Sequence, residues 1–583
     1  MVSNKTDEIW CVDTEWGFRG DRIDHESAWE PVVLCAVGLR SNRRFHFWER
    51  DDRLLLFFRE HAADLFVAHN VVAEMKYLLR LGVPLPQKWF DTFVAWRFLT
   101  NEPNYPQANL SRALHSLGLP HLAPAAKAEL QQRILQLRFN SNDDQERTEI
   151  LKYCFSDCDG AAGLFTRIQA RIPRTIMSHW CEYLKAVARM ELRGIPFDSV
   201  NYDRITLQQP LIRSSLIEGI NRTAKIFENE AFNSESLIAW CRAEGIRWPL
   251  KKSDATGKYY YPLDDDTFKE MENHHPLIAE LRQVRKTLTN IGRRSLVVDS
   301  ITGRHYFSTV AFRSLTGRNQ PTRFVFSGPK WLRYLITSES PDHVLVYVDY
   351  SAQEIGVAAA LSGDVNMRAV YEASDPHLAF AIRAGAAPGN ATKQTHAEIR
   401  KRYKTVNLGV QYGQTAYGIA AKLGIRHREA EELLLKHQET FPDFWAWSTR
   451  IVQASFDRGY ITTPCGWRSR VPPFSNDRTW MNWPMQATGG DIMRLTITYL
   501  DRQSVRVLAP VHDGFLLSCR REQLDDLHDA VKFACGTAVE QALPGFPLKW
   551  DVTVHPNGRF EDEDGLPLWN KLQAILRGDS DAS

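Results

Sequence analysis

Val344-Leu345-Val346-Tyr347-Val348-Asp349-Tyr350-Ser351 runs a near-continuous apolar strand into an acid. Strands of that composition are buried on both faces, which calls for a covered sheet in a layered α/β arrangement. Leu508-Ala509-Pro510-Val511-His512-Asp513 repeats the pattern, and the apolar stretch Val505 to Val511 is the expected partner strand. An α/β pattern therefore runs from Asp342 onward. Taken singly, either aspartate reads equally well as an ordinary strand-end residue.

Between them lies Arg400-Lys401-Arg402-Tyr403-Lys404-Thr405-Val406-Asn407-Leu408-Gly409-Val410-Gln411-Tyr412-Gly413. Arg400, Lys404, Leu408 and Tyr412 recur every four residues, so a helix places them on one face. Cations stacked at that spacing suit a triphosphate, and the apolar and aromatic residues beyond them suit a sugar and a base. A basic amphipathic surface helix has the same pattern.

Toward the amino terminus, Ile9-Trp10-Cys11-Val12-Asp13-Thr14-Glu15 reads as a strand with Asp13 and Glu15 on the same face. Adjacent acids repel unless cations bind, and a pair of hard divalent ions bound there can support phosphodiester hydrolysis. Alone, Asp-x-Glu is more often a surface strand. Two further segments of the same region strengthen it: Val67-Ala68-His69-Asn70-Val71-Val72-Ala73-Glu74 and Tyr153-Cys154-Phe155-Ser156-Asp157. Asp91, before Thr92-Phe93-Val94, reads as a helix N-cap and stays outside the site.

Apolar runs such as Phe66-Val67-Ala68 alternate with helical stretches such as Glu129 to Leu137 up to Arg171, where Ile172-Pro173 breaks the pattern. A domain boundary near residue 172 follows, then a long helix with Gly194 and Pro196 as its stop signal. Leu281 to Arg294 is a helix dense in basic residues, whose bland reading is a solvated face. At 583 residues the chain exceeds one core, so several domains are expected.

Hydrophobic residues make up 44% and charged residues 24%, and no apolar run reaches the ~18 residues of a membrane span. The amino terminus lacks a signal or transit pattern, which predicts a cytoplasmic location without membrane attachment. Nine cysteines without zinc-site spacing read as reduced, mostly buried thiols. A net charge of +2 is small for a nucleic-acid binder, but acids of a metal site cancel a basic groove in the sum. No internal repeat is visible, and only the last few residues read as disordered.

The three amino-terminal segments together resemble the exonuclease motifs of the DEDD family. In that resemblance Asp13, Glu15, Glu74 and Asp157 bind two metals and Tyr153 orients the attacking water. The later segments resemble family A DNA polymerases, with Asp349 in motif A, Lys404 to Gly413 in motif B and His512-Asp513 in motif C. Thr316-Gly317-Arg318, Ser362-Gly363-Asp364, Asp375-Pro376-His377 and Arg478 through Asn482 to Gln486 match as well.

The resemblance implies an α/β multidomain chain: an RNase H-like 3′→5′ exonuclease domain over 1–171, then a right-hand polymerase. That polymerase has its start and thumb over 172–340 and its palm and fingers over 341–583, with fingers about 365–450. Asp349 and Asp513 are implied to hold two Mg²⁺ ions, with Mn²⁺ able to substitute, and each active site to use such a pair. Arg400 and Lys404 grip the dNTP, Leu408 and Tyr412 lie near sugar and base, and Glu354 is the steric gate against ribose. His512 touches the primer end, and Arg318, Arg478, Asn482 and Gln486 contact primer-template DNA. Arg282, Arg285 and Lys286 on the basic helix become thumb residues holding duplex phosphates.

The chain departs from the family pattern at Glu74, where Asp is usual, at Leu408, where Phe or Tyr is usual, and at Gly514, where the third residue of His-Asp-Glu stands. Ala352-Gln353 also replaces the commoner Gln-Ile. The changes at Leu408, Gly514 and Ala352-Gln353, with no 5′ nuclease segment, imply a bacteriophage replicative enzyme acting in the host cytoplasm; a monomer is expected, with replication accessory proteins as candidate partners that the sequence does not identify. Two other readings remain: a single-subunit phage RNA polymerase, opposed by Glu354, and an exonuclease whose later part only holds DNA.

Overall fold

Ile9–Phe18, buried along most of its length, is β1, the centre of the first sheet. It pairs antiparallel with β2 (Trp29–Gly38), which pairs with β3 (Arg44–Trp48), and parallel with β4 (Leu65–Ala68), which pairs with β5 (Lys88–Asp91). Val72–Arg80 forms helix α1 and Thr92–Thr100 forms α2, whose N-cap Asp91 accepts from the Phe93 and Val94 amides. Helices α3 (Pro124–Leu135) and α4 (Asp144–Ile168) complete this layer. The computed structural model describes residues 7–103, 109–121, 124–253, 257–293, 296–411 and 413–578; the terminal residues read as disordered lie outside that set from 579.

The break near residue 172 separates α4 from α5 (Arg174–Arg193), which ends where Gly194 adopts a φ of 64°. Packing is not interrupted there. Cys181 and Lys185 of α5 donate to the Trp89 and Gln87 carbonyls beside the first sheet, while Arg189 pairs with Asp501 and Arg193 donates to the Val507 carbonyl. Trp180 meets Phe98, Phe312 and Trp467 with ring centroids 5.2–5.4 Å apart, an aromatic junction worth about 0.5–1.5 kcal/mol per pair beyond burial. Buried Asn101 ties the same junction by donating to the Leu315 and Arg468 carbonyls. One core therefore runs through both halves.

A second core lies under residues 195–336 and includes α6 (Pro276–Arg293), the basic helix. The second sheet contains β6 (His343–Tyr350), β7 (Arg506–Val511), β8 (Gly514–Arg520) and β9 (Trp550–His555), ordered β7-β8-β6-β9 and wholly antiparallel. This corrects one expectation: β7 does not pair with β6, because the two-residue turn at His512-Asp513 returns the chain as β8, which lies between them. Val511 pairs with Gly514, and His512 takes the left-handed φ of 54° that such hairpins favour. Helix α9 (Asp477–Arg502) packs against β7, α7 (Gln353–Ser362) packs against α9, and α8 (Ala397–Gln411) packs among the helices Pro376–Arg383, Ala416–Leu423 and His427–Thr440. Among the described residues no helix is long and apolar enough to cross a membrane, and all nine cysteines are free thiols, seven of them buried.

Two candidate active sites

Asp349 ends β6 with Gly514 as its register partner, so the β7–β8 turn sets Asp513 beside it. The Tyr350 amide donates to the Asp513 carbonyl at 3.2 Å, which fixes the turn against the strand end. Burial, and then the neighbouring Asp513 charge, push the Asp349 carboxyl up to about 7. Two acids so placed are relieved by a cation, and their all-oxygen donor set fits a hard divalent ion.

Beside this pair, Arg318 Nε donates to the Gln486 carbonyl at 2.9 Å, and Arg318 Nη2 lies 3.9 Å from Glu354 Oε1. Ala352, immediately before α7, holds a left-handed φ of 47°, an uncommon conformation for a residue with a Cβ. That turn starts the helix on which Glu354 stands. Arg318, Gln486 and Glu354, far apart in the chain, therefore form one group, with the buried Oδ1 of Asn482 nearby on α9 left without a hydrogen-bond partner.

Helix α8 carries Arg400, Lys404 and Leu408 along one face. Arg400 pairs with Asp375, whereas Lys404 is exposed and makes no hydrogen bond or ion pair with any described residue. Tyr412 lies outside the described residues. A Cβ at Gly413 would fall 2.7 Å from Arg478 Cβ, so the end of this helix abuts the start of α9 and exposed Arg478. His512 is exposed at the turn tip.

The cations of α6 each have partners within the chain. Arg282 pairs with Asp265 and Glu272, Lys286 pairs with Asp265, and Arg285 donates to the Leu263 carbonyl while lying 4.3 Å over the Phe268 ring. All three knit the helix to its own subdomain. The acids that claim them come from Asp265–Met271 and its end, which helix periodicity could not reveal.

In the first sheet, Asp13 and Glu15 share a face of β1 as period two requires, and with Cys154 they offer ligand atoms within 4.8 Å of one another. Burial, and then neighbouring negative groups including Asp157, push Asp13 and Glu15 well above the carboxylate range, and burial does the same to Glu74. Asp13 Oδ2 and Glu74 Oε2 are buried without a hydrogen-bond partner. Unpaired buried oxygens are costly, and a hard divalent ion is the partner this donor set fits. Burial and the surrounding acids also push the Tyr153 phenol far up.

Sequence reading missed two residues here. Lys127 of α3 donates to both oxygens of Asp157 and lies 5.4 Å over the Tyr153 ring. Cys154 donates to the Asp13 carbonyl at 3.4 Å, which ties α4 to β1. Asp91, read as a cap, is one: burial pushes it up to about 6 even though the Asn70 and Val71 amides also donate to it.

A profile described as "DNA polymerase family A" matches residues 216–557. DNA polymerase I of Lactococcus lactis subsp. lactis is 26% identical over 388 residues, covering 62% of this chain and 43% of the relative. DNA polymerase I of Geobacillus stearothermophilus is 26% identical over 401 residues, 64% of this chain and 44% of the relative. The thermostable DNA polymerase I of Thermus thermophilus is 27% identical over 388 residues, 62% and 45% respectively. The chain thus matches less than half the length of these relatives.

In fold, it is similar to the POL domain of Pol1 from M. smegmatis, solved in complex with DNA primer-template and dNTP. The TM-score is 0.72 at 19% identity, covering 95% of this chain and 97% of that one. At that identity the likeness speaks of the fold. The profile, by contrast, spans more than half of the sequence and takes in Asp349, α8 and Asp513 together, so this chain belongs to DNA polymerase family A.

Proposed function

We propose that this chain extends a DNA primer on a template from deoxynucleoside triphosphates, and that its amino-terminal carboxylates trim the primer 3′ end. The observation that carries the first part is the meeting of Asp349 and Asp513 at the β6 and β8 ends, beside the Arg318–Gln486–Glu354 group. The second part rests on the grouping of Asp13 with Glu15, Glu74 and Asp157, and of Tyr153 with Asp13, Glu15 and Asp157. The departures at Ala352-Gln353, Leu408 and Gly514 suit a bacteriophage replicative enzyme.

Asp349 and Asp513 would hold Mg²⁺, which when bound would supply charge to acidify a primer hydroxyl and offset charge on the phosphates. Lys404 binds the triphosphate, and Arg400 joins it by exchanging Asp375 for a phosphate. Glu354 fills the space beside the sugar and excludes a ribose hydroxyl. Arg318 and Gln486 hold the primer-template end. At the other site, Tyr153 orients the water that attacks the terminal phosphodiester, and Asp13, Glu15, Glu74 and Asp157 would hold divalent ions that would supply the charge to activate it.

Primer extension on matched and mismatched primers, with dNTPs supplied or withheld, tests both parts. Extension with dNTPs and shortening without them support the reading. Extension with rNTPs in preference to dNTPs would favour an RNA polymerase, and no extension by protein that still binds DNA would end the polymerase assignment.

A further inference from the structure

Asp349 has two partners in the sheet: Gly514 on β8 and Asp551 on β9. Directly opposed residues of antiparallel strands project to the same face, with Cβ atoms about 4.5–5.5 Å apart. The face that carries Asp349 therefore receives an acid from one neighbouring strand and none from the other.

Gly514 has no room for a side chain. A Cβ there would lie 2.7 Å from Asp349 Oδ1, 2.7 Å from the Tyr347 hydroxyl and 2.6 Å from the Val348 carbonyl oxygen. Tyr347 stands two residues before Asp349 on the same face of β6, and its hydroxyl donates to Asp349 Oδ1 at 3.5 Å. The phenol has taken the space in which a residue-514 side chain would run. On the opposite flank, Ser351 Oγ donates to Asp551 Oδ2 at 2.5 Å, and Asp551 Oδ1 makes no hydrogen bond with any described residue. The carboxylate is held on one oxygen and open on the other.

We propose that Asp551 is the third acid of the Asp349–Asp513 site, supplying from β9 the negative charge that the crowded position 514 cannot supply from β8. Its ligand is the divalent cation of that site, and Ser351 is its positioning residue. The competing interpretation is a solvated charge on an edge strand, a common guard against edge pairing. It differs in one respect: a guard charge needs no fixed orientation, so loss of the Ser351 hydroxyl would leave cation affinity unchanged.

The inference rests on the polymerase reading above, and one titration separates the two. In the full chain carrying Asp13→Asn and Asp157→Asn, so that the amino-terminal acids are disabled, Mn²⁺ binding is followed by electron paramagnetic resonance. Asp551→Asn should weaken binding about ten-fold, the loss typical of a supporting metal-site group. It should also raise the Mg²⁺ concentration for half-maximal extension while leaving metal-free DNA binding unchanged. Asp551→Glu should recover part of the affinity, and Ser351→Ala should lose part of it with every acid present. Circular dichroism checks that the exposed substitution leaves the fold intact. Unchanged Mn²⁺ affinity in Asp551→Asn overturns the inference; unchanged affinity and extension in Asp349→Asn overturns the polymerase reading itself.

Discussion

Lys127 Nζ lies 2.8 Å from Asp157 Oδ1 and 2.5 Å from Asp157 Oδ2, so a side-chain ammonium holds both oxygens of an acid that a metal would require. The pair is largely shielded, with 20% and 17% of the two side chains exposed. A cation arriving at Asp157 must compete with it.

Lys127→Met should therefore tighten Mn²⁺ binding at the amino-terminal acids by about ten-fold, or ~1.4 kcal/mol. Calorimetric titration of the full chain carrying Asp349→Asn and Asp513→Asn isolates that site. Equal or weaker binding in the variant would show that the lysine does not compete with the ion.

Gly514→Ala should be harmful although alanine is small. The new Cβ meets a backbone carbonyl at 2.6 Å, and backbone cannot move aside as a flexible side chain does. Overpacking of this kind costs about 1–3 kcal/mol. Denaturant unfolding should record that loss, and primer extension should fall with it because Asp349 Oδ1 lies in the same crowded space. Wild-type stability in the variant would contradict the packing described.

Asp349 predicts a pH dependence of stability. Its carboxyl titrates at about 7 in the folded chain against 3.8 ordinarily, so across that window the folded state binds more protons than the unfolded state. Stability of the metal-free protein consequently falls as pH rises through the window. Thermal unfolding in EDTA from about pH 5 to about pH 8 should show this slope, and Asp349→Asn should flatten part of it. Metal affinity should move the opposite way, rising with pH as the proton is displaced.

Glu354 stands beside Arg318 with only 11% of its side chain exposed. Replacing it by alanine opens that space, and single-nucleotide incorporation should then show rNTP use rising relative to dNTP by about ten-fold or more, ~1.4 kcal/mol of discrimination. Unaltered discrimination would remove Glu354 from the sugar site.

Where the answer depended on period or order along the chain, it was legible. Period two placed Asp13 and Glu15 on one face of β1, apolar runs marked β6 and β7, and spacing of four aligned Arg400, Lys404 and Leu408 on α8. Where it depended on register or on a partner from another element, it was not. Asp551 is invisible as a neighbour of Asp349 until the β6–β9 register is known, and Lys127 reaches Asp157 from a different helix. Arg282 and Lys286 were readable as a basic row, but their pairing with Asp265 was not, because that acid lies across a helix packing that no periodicity describes. The loss of an acid at Gly514 was readable, but not that Tyr347 fills its place.

The central claim is that one chain carries two separate carboxylate sites, one for synthesis and one for trimming. Separation of function tests it most directly: wild type, Asp513→Asn and Asp13→Asn are compared on one labelled primer-template with Mg²⁺, with and without dNTPs. Asp513→Asn should lose extension and keep shortening, and Asp13→Asn should keep extension and lose shortening. If either substitution abolishes both reactions while the fold is retained, or if neither changes anything, the two-site account is contradicted.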